Sequence, residues 1–327
     1  MKSVKSLSRV VIENLIFFIV LVVLSFLLPR LIPGSPIYGL ADNTHVLNMS
    51  VPEEVLSRYK EYYAPEKTLA EQFILNVEQL LKGNLGYSFH FGLPVSDIIK
   101  GRIGWTLLLS ISAILISTMI AVSMGIKAAM KKGSFMDKLL VFLVILMEAV
   151  PIFLFGLLIQ MAFAYKLRLF PAQGAYSIGM DHETPGFFMD ALKHSVLPLM
   201  ALTFSQTPSF LLLVRNTAIR VKKEPYVEMA VYNDIDEKTI KYKYIVKNCL
   251  PELIGKLNIH IIYAIVGTLF IEVIFSYPGM GELMKIAAGA RDYCLIQGIF
   301  LLTGLYGIAV NIILGFLTNI IFPRMRA

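Results

Sequence analysis

The chain lacks most of what a soluble enzyme is built from. It has two cysteines, Cys249 and Cys294, and one tryptophan, and only 16% of its 327 residues are charged. No Gly-x-x-x-x-Gly-Lys-Ser/Thr phosphate loop occurs, so this chain is not expected to bind and hydrolyse ATP by itself. A Gly-x-Ser-x-Gly elbow and a His-Glu-x-x-His pair are also missing, which weighs against an intramembrane hydrolase. His182-Glu183 runs into Thr184-Pro185 and leads nowhere. The remaining histidines (His45, His90, His194 and His260) never stand at the short spacing of a metal site, so no metal is expected. Tandem repeats and low-complexity linkers are absent too.

Apolar residues are abundant, at 56% of the chain. Several runs reach the roughly 20 residues that cross a bilayer core. They fall near 11–32, 103–126, 139–165, 195–215, 257–277 and 296–322. In lipid only a helix satisfies its own backbone within one segment of such a chain. The expected fold class is an all-α polytopic membrane protein with about six transmembrane helices. The first run is too long for a signal peptide, and Pro29, Arg30 and Pro33 stand where a cleavage site would lie, so it is expected to be retained.

Lys and Arg set the orientation. Lys2, Lys5 and Arg9 precede the first run, and Lys127, Lys131, Lys132 and Lys138 follow the second. Arg220, Lys222, Lys223, Lys238, Lys241, Lys243, Lys247 and Lys256 crowd one later connector, and Arg324 and Arg326 end the chain. The alternate connector 34–102 carries Asp42, Glu53, Glu54, Glu61, Glu66, Glu71, Glu78 and Asp97. A multi-pass protein of the cell membrane is expected, with both termini cytoplasmic. Cys249 and Cys294 then lie on opposite sides and cannot pair. The net charge of +7 is mostly this bias and calls for no nucleic-acid partner.

Three regions are expected: 1–33 with the first helix, an extracellular 34–102, and a core at 103–327. Within the second, residues 52–82 repeat apolar side chains at helical spacing (Val55, Tyr59, Tyr62, Tyr63, then Leu69, Phe73, Val77, Leu80 and Leu81) and predict a small helical cap.

The basic stretch Glu224–Lys256 reads as two short helices. Pro225 suits a first helical position, Tyr226, Met229 and Ala230 recur at helical spacing, Asn233-Asp234 breaks the pattern, and Asp236 can cap a second helix through Ile240, Tyr244 and Lys247. A solvated connector and a helix pair that docks into a groove on another protein are both open on this pattern. Polar residues within the apolar runs raise a similar choice: Glu148 beside Pro151, Glu272, the stretch Ser205–Ser209 that interrupts the fourth run, Asn258 and Asn311. Each is either a buried hydrogen bond between helices or part of a water-filled path, with Glu148 the leading path candidate.

Five stretches, in order along nearly the whole chain, resemble the membrane-spanning subunits of ATP-binding cassette importers, in the oligopeptide/dipeptide/nickel permease branch. They are Arg30-Leu31-Ile32-Pro33-Gly34-Ser35-Pro36; Asn84-Leu85-Gly86-Tyr87-Ser88 with Pro94-Val95-Ser96 and Thr106-Leu107; His194-Ser195-Val196-Leu197-Pro198; Tyr226-Val227-Glu228-Met229-Ala230 on to Lys247-Asn248-Cys249-Leu250-Pro251; and Glu272 through Gly281 with Arg291-Asp292-Tyr293 and Gln297-Gly298. The last is the most specific.

The resemblance implies a type I importer permease fold. It also implies an EAA-type coupling loop at about 224–250, in which Tyr226, Val227, Glu228, Met229, Ala230 and Asp234 meet a cytoplasmic ATPase. An outer gate is implied where the fifth span ends, at Glu272, Pro278, Gly279 and Gly281. Pro278 and Gly279 are expected to end the helix there, and Gly281 to supply an unusual backbone conformation. The chain departs from the family pattern at Met229, at Asp234 in place of glycine, at Ser35 in place of an acid, and at Cys294 in place of proline. Asp tolerates the left-handed region better than most residues, so Asp234 is expected to keep the turn.

The implied partners are a second homologous permease, two ATP-binding subunits that hold ATP and magnesium, an extracellular binding protein and the bilayer. This chain itself is expected to be non-catalytic and to hold no cofactor. Peptide is the expected substrate, with nickel, a metallophore or an oligosaccharide as rivals within the branch. A stand-alone channel or a membrane enzyme is the rival from another class; a stable complex with two ATPases separates it.

Overall fold

A computed structural model describes residues 2–31, 57 and 66–321. Their order is α1 (Lys2–Leu31), α2 (Leu69–Leu81), β1 (Tyr87–Ser88), β2 (Leu93–Pro94), α3 (Val95–Met130), α4 (Phe135–Ala149), α5 (Ile152–Ile159), α6 (Phe187–Val221), α7 (Pro225–Tyr232), α8 (Glu237–Thr239), α9 (Lys247–Ile274), α10 (Met280–Gly289) and α11 (Tyr293–Ile321). Wider π-helical turns extend α5 over Gln160–Lys166 and join α8 to α9 over Ile240–Val246. The chain divides into two compact units, one of residues 1–104 and 279–309, the other of 105–278 and 310–327. Residues 279–309 therefore group with the N-terminal region.

Among the described residues, three helices are long and apolar enough to cross a membrane: α3, α6 and α11 over Tyr293–Ile313. A fourth crossing is added if α4 and extended α5 count as one, and Ile12–Leu27 of α1 is a shorter apolar helix. The expected run at 139–165 is bent by 96°. Pro151 causes the break: it has no N–H to donate, and it pushes Val150 to extended backbone (φ −90°, ψ 117°). By contrast, Ser205–Ser209 does not interrupt α6, which runs through both Pro198 and Pro208. The Thr207 hydroxyl bonds the Thr203 carbonyl at 2.7 Å, so it is satisfied within its own helix.

In the first unit, α2 opens on a capping box: Thr68 accepts from the Glu71 N–H, and Glu71 accepts from the Thr68 N–H at 2.9 Å. Phe73 packs edge-on to Phe26 of α1 at 5.2 Å, and Arg30 Nε reaches Gln72 at 3.3 Å. Tyr59, Tyr62, Tyr63 and Val55 lie outside the described residues. Asp292 joins two of the five stretches quoted above. One carboxylate oxygen caps α11 through the Leu295 N–H (3.2 Å), while the other accepts from Ser88 Oγ (2.5 Å) and the His90 N–H (3.2 Å). Gln297 donates to buried Asn76 at 3.0 Å. A Cβ on Gly298 would stand 2.5 Å from Cγ1 of Val95, so only glycine lets these segments approach.

In the second unit, α6 packs on α4, α5 and α9. Its half nearer Val221 shares a core with α3 and with the segment after it: Ile126, Phe210, Leu211, Val214 and Ala218 surround Val227, Ala230, Ile245 and Leu253. A second cluster gathers Leu109, Leu197, Leu202, Ile271, Phe275 and Tyr277 toward the other end.

Candidate functional site

The segment expected to couple, 224–250, forms short helices as its sequence pattern suggests, but α7 faces differently. α7 begins with Pro225 as its first residue after extended Glu224 (ψ 140°). It stops at Tyr232 through a Schellman pair, in which the Ile235 N–H bonds the Ala230 carbonyl (3.2 Å) and the Asp234 N–H bonds that of Val231 (3.1 Å). Asp234 sits in the left-handed region at φ 51°, where the family pattern has glycine. Asp236 then caps the next helix through the Thr239 N–H at 3.0 Å, and those bonds from Thr239 hold its carboxyl below the usual range.

Val227 and Ala230 are each only 2% exposed and belong to the chain's own core. The outward face carries Tyr226 (42% exposed), Met229 (65%) and Tyr232 (87%), with Glu228 also exposed. Ala230 was expected to meet a groove on the ATPase; the groove it fills is this chain's own. Side chains of α7, Asp234 and Ile235 also line a cleft of about 650 Å³. Large apolar side chains are thus left exposed on one face of this short helix.

Two ion pairs that the sequence patterns did not single out brace this segment's surroundings. Asp137, 2% exposed, takes both arms of Arg215 (Nε 2.6 Å, Nη2 2.7 Å) and the Gly133 N–H (2.9 Å). It thereby locks α4 to α6 across 78 residues of sequence. Glu252 at the start of α9 receives Thr217 Oγ1 and Arg220 from α6.

Cys249 lies behind α7, 4% exposed. Burial pushes its thiol up to about 11 against 9.0 for a free thiol, with Arg220 opposing weakly. At pH 8 this cuts its thiolate fraction by about a hundredfold. Maleimide labelling of Cys249 in the folded protein is expected to run at least ~100-fold slower than after denaturation, read by mass spectrometry over a time course. Labelling at the denatured rate would refute the packing. Cys294 is fully buried too, so neither thiol can report sidedness as an exposed one would.

At the other end of the second unit, α9 does not end on Pro278 and Gly279. It ends at Ile274, four residues earlier, in another Schellman pair: Tyr277 N–H to the Glu272 carbonyl (2.8 Å) and Ser276 N–H to that of Val273 (3.3 Å). The left-handed residue is Ser276 (φ 45°), not Gly281, which is buried within α10. Glu272 is fully buried, and Tyr277 packs edge-on to Trp105 at 5.7 Å. Gln160 ties this turn down by donating to the carbonyls of Ala172 (2.9 Å) and Ile274 (3.0 Å). A Cβ on Gly156 would come within 2.9 Å of Ile271 Cδ1, so α5 lies hard against α9. Gln160 was not anticipated; its only signal is an amide in an otherwise apolar run. Ser276→Gly is expected to raise thermal stability by up to ~1 kcal/mol by removing the left-handed penalty. A lowered unfolding midpoint would contradict that geometry.

Glu148 is exposed at the 96° bend, with no hydrogen-bond partner among the described residues. A buried hydrogen bond between helices of this chain is therefore not its role here. No group of three or more His, Cys, Asp or Glu side chains able to hold a metal occurs among the described residues.

Long apolar helices, one of them broken at a proline, are those of a multi-pass membrane protein. The family described as binding-protein-dependent transport system inner membrane component matches residues 117–327, and the chain belongs to it. It is 30% identical over 307 residues to a Brucella suis biovar 1 protein that carries the name peptide permease protein, covering 94% of each chain. It is 26% identical to the dipeptide transport system permease protein DppB of Escherichia coli K12, over 94% of this chain and 95% of that one. Against the oligopeptide transport system permease protein AppB of Bacillus subtilis 168, identity is 25% over 93% of each.

Proposed function

We propose that this chain is one half of the translocation core of an ATP-driven importer for oligopeptides or dipeptides. A homologous permease would complete the path, two cytoplasmic ATPases would hold ATP and magnesium, and an extracellular binding protein would deliver the peptide. The single observation that supports coupling best is α7. One face is anchored in the chain's core, and the other presents Tyr226, Met229 and Tyr232 to a partner. The peptide assignment rests on the relatives named above. ATP would bind more tightly to the outward-facing arrangement, which is what a population shift requires. The coupling segment would carry that preference into the bundle. On this reading both termini are cytoplasmic, and about six helices cross the membrane.

The test is uptake by proteoliposomes holding the purified complex and its binding protein. ATP-dependent accumulation of peptide is the expected result. Accumulation of a nickel chelate or an oligosaccharide instead would reassign the substrate, and uptake by the lone chain without ATP would make it a channel.

Glu148 is assigned to the path in the same reading. Its carboxylate, in a passage partly stripped of water, would attract a peptide ammonium more strongly than bulk water allows. Glu148→Gln is expected to lower uptake of free-amino peptides about tenfold relative to N-acetylated ones, equivalent to ~1.4 kcal/mol, with complex yield unchanged. Equal uptake ratios in variant and parent would remove Glu148 from the path.

A further inference from the structure

The second unit contains a long trough that neither the coupling segment nor the outer turn uses. α3, α4, α5 and α6 line about 680 Å³ of it, with Ile120, Leu143 and the stacked rings of Phe155 and Phe204 in its walls. Its polar side chains are two threonines, Thr203 and Thr207, and the Thr207 hydroxyl is spent on its own helix. At one end, Met124, Met136 and Leu140 pass directly into a second recess of about 490 Å³. The rim of that recess holds Lys127, Lys131 and Lys241. Two carboxylates share the rim, but Asp137 is consumed by Arg215, which leaves Glu237 alone against three ammonium groups.

An apolar helix laid in this trough would leave that positive rim without a counter-charge. A free phosphate would leave the apolar length uncovered. A molecule with an acyl chain and an anionic head satisfies both. We propose that the trough holds an anionic phospholipid, with an acyl chain between α3 and α6 and its phosphate among Lys127, Lys131 and Lys241. The proposal needs only that the lysine-bearing end of α3 lies at a membrane surface, so it stands apart from the choice of transported substrate.

The experiment uses the assembled complex, equilibrated with vesicles of equal phosphatidylglycerol and phosphatidylcholine, re-extracted, and read by native mass spectrometry. Phosphatidylglycerol is expected to be retained over phosphatidylcholine by roughly ten- to thirtyfold, as a two-charge excess implies. Lys127→Gln, Lys131→Gln and Lys241→Gln together should bring the ratio near one. A Leu143→Trp reporter should be quenched by phosphatidylglycerol with brominated acyl chains, which separates a seated lipid from one merely adsorbed at surface lysines. Equal retention in the parent, an unchanged ratio in the triple variant, or an unquenched reporter would each overturn the proposal. The last result would give the trough to a helix of the neighbouring subunit.

Discussion

Asp137→Ala is expected to cost about 3–5 kcal/mol of folding free energy, the largest effect of any single truncation considered for this chain. The carboxylate is 2% exposed and accepts three hydrogen bonds, two of them from one guanidinium. Removing it strands Arg215, whose side chain is 15% exposed, beside an apolar core without a counter-charge. The expected reading is a fall of at least about 6 °C in the thermal midpoint of the purified complex. Arg215→Met should do comparable harm, because it leaves the buried carboxylate alone. Asp137→Leu with Arg215→Met should recover most of the loss, since an apolar pair of similar volume needs no desolvated charge. A midpoint within about 2 °C of the parent for Asp137→Ala would show that the clamp contributes little.

The second large effect separates two faces of one helix. Ala230→Arg would force a guanidinium into a core already filled by Val227, Ile245, Leu253 and Phe210. Overpacking and an unpaired buried charge together should unfold α7 and the turn after it, at several kcal/mol. Met229→Arg, at a position 65% exposed, should stay within about 0.5 kcal/mol of the parent in stability. Its expected defect is in ATP-dependent uptake, which should fall at least about tenfold as the docking face loses its apolar centre. Limited proteolysis of the 224–250 region reads the first effect, and co-purification of ATPases with uptake reads the second. If Met229→Arg destabilised the fold as Ala230→Arg does, α7 would have no free face to offer.

How far these results could be seen in advance differs from residue to residue. Asp234 was legible, because an Asp after Asn at a helix end can occupy the left-handed region, and it does so at φ 51°. Ser276 was not. Serine carries no such expectation, whereas the nearby Gly279 and Gly281 are of the residue type that a positive φ favours. The facing of α7 was hidden for another reason. Tyr226, Val227, Met229, Ala230, Val231 and Tyr232 leave both sides of that helix apolar, so periodicity cannot choose between them.

Asp137 and Arg215 read locally as ordinary charges at span ends; only the fold, across 78 residues, makes them a pair. Pro151 announced a weakened helix, but the 96° turn depends on what α4 and α5 each pack against. The apolar helices were thus readable from composition and spacing, and the five stretches from their resemblance to the importer family, while side-chain facing and long-range charge pairing were not.

The continuity of α9 has a mechanical consequence. Its first residues are wedged against α7 by Cys249 and Leu253, and its last turn, through Ile274, is held by the Gln160 amide. Pro251 lies one turn in, where a missing hydrogen bond lets a helix pivot. From there to Ile274 the rod is about 35 Å long at 1.5 Å per residue, so each degree of tilt at the pivot moves the far end by about 0.6 Å. Ten degrees would sweep it roughly 6 Å, more than a full helical pitch of 5.4 Å. Tyr277, Trp105 and the Gly156 contact sit where that sweep is widest, so a rotation too small to unpack the pivot end is enough to dismantle the far one.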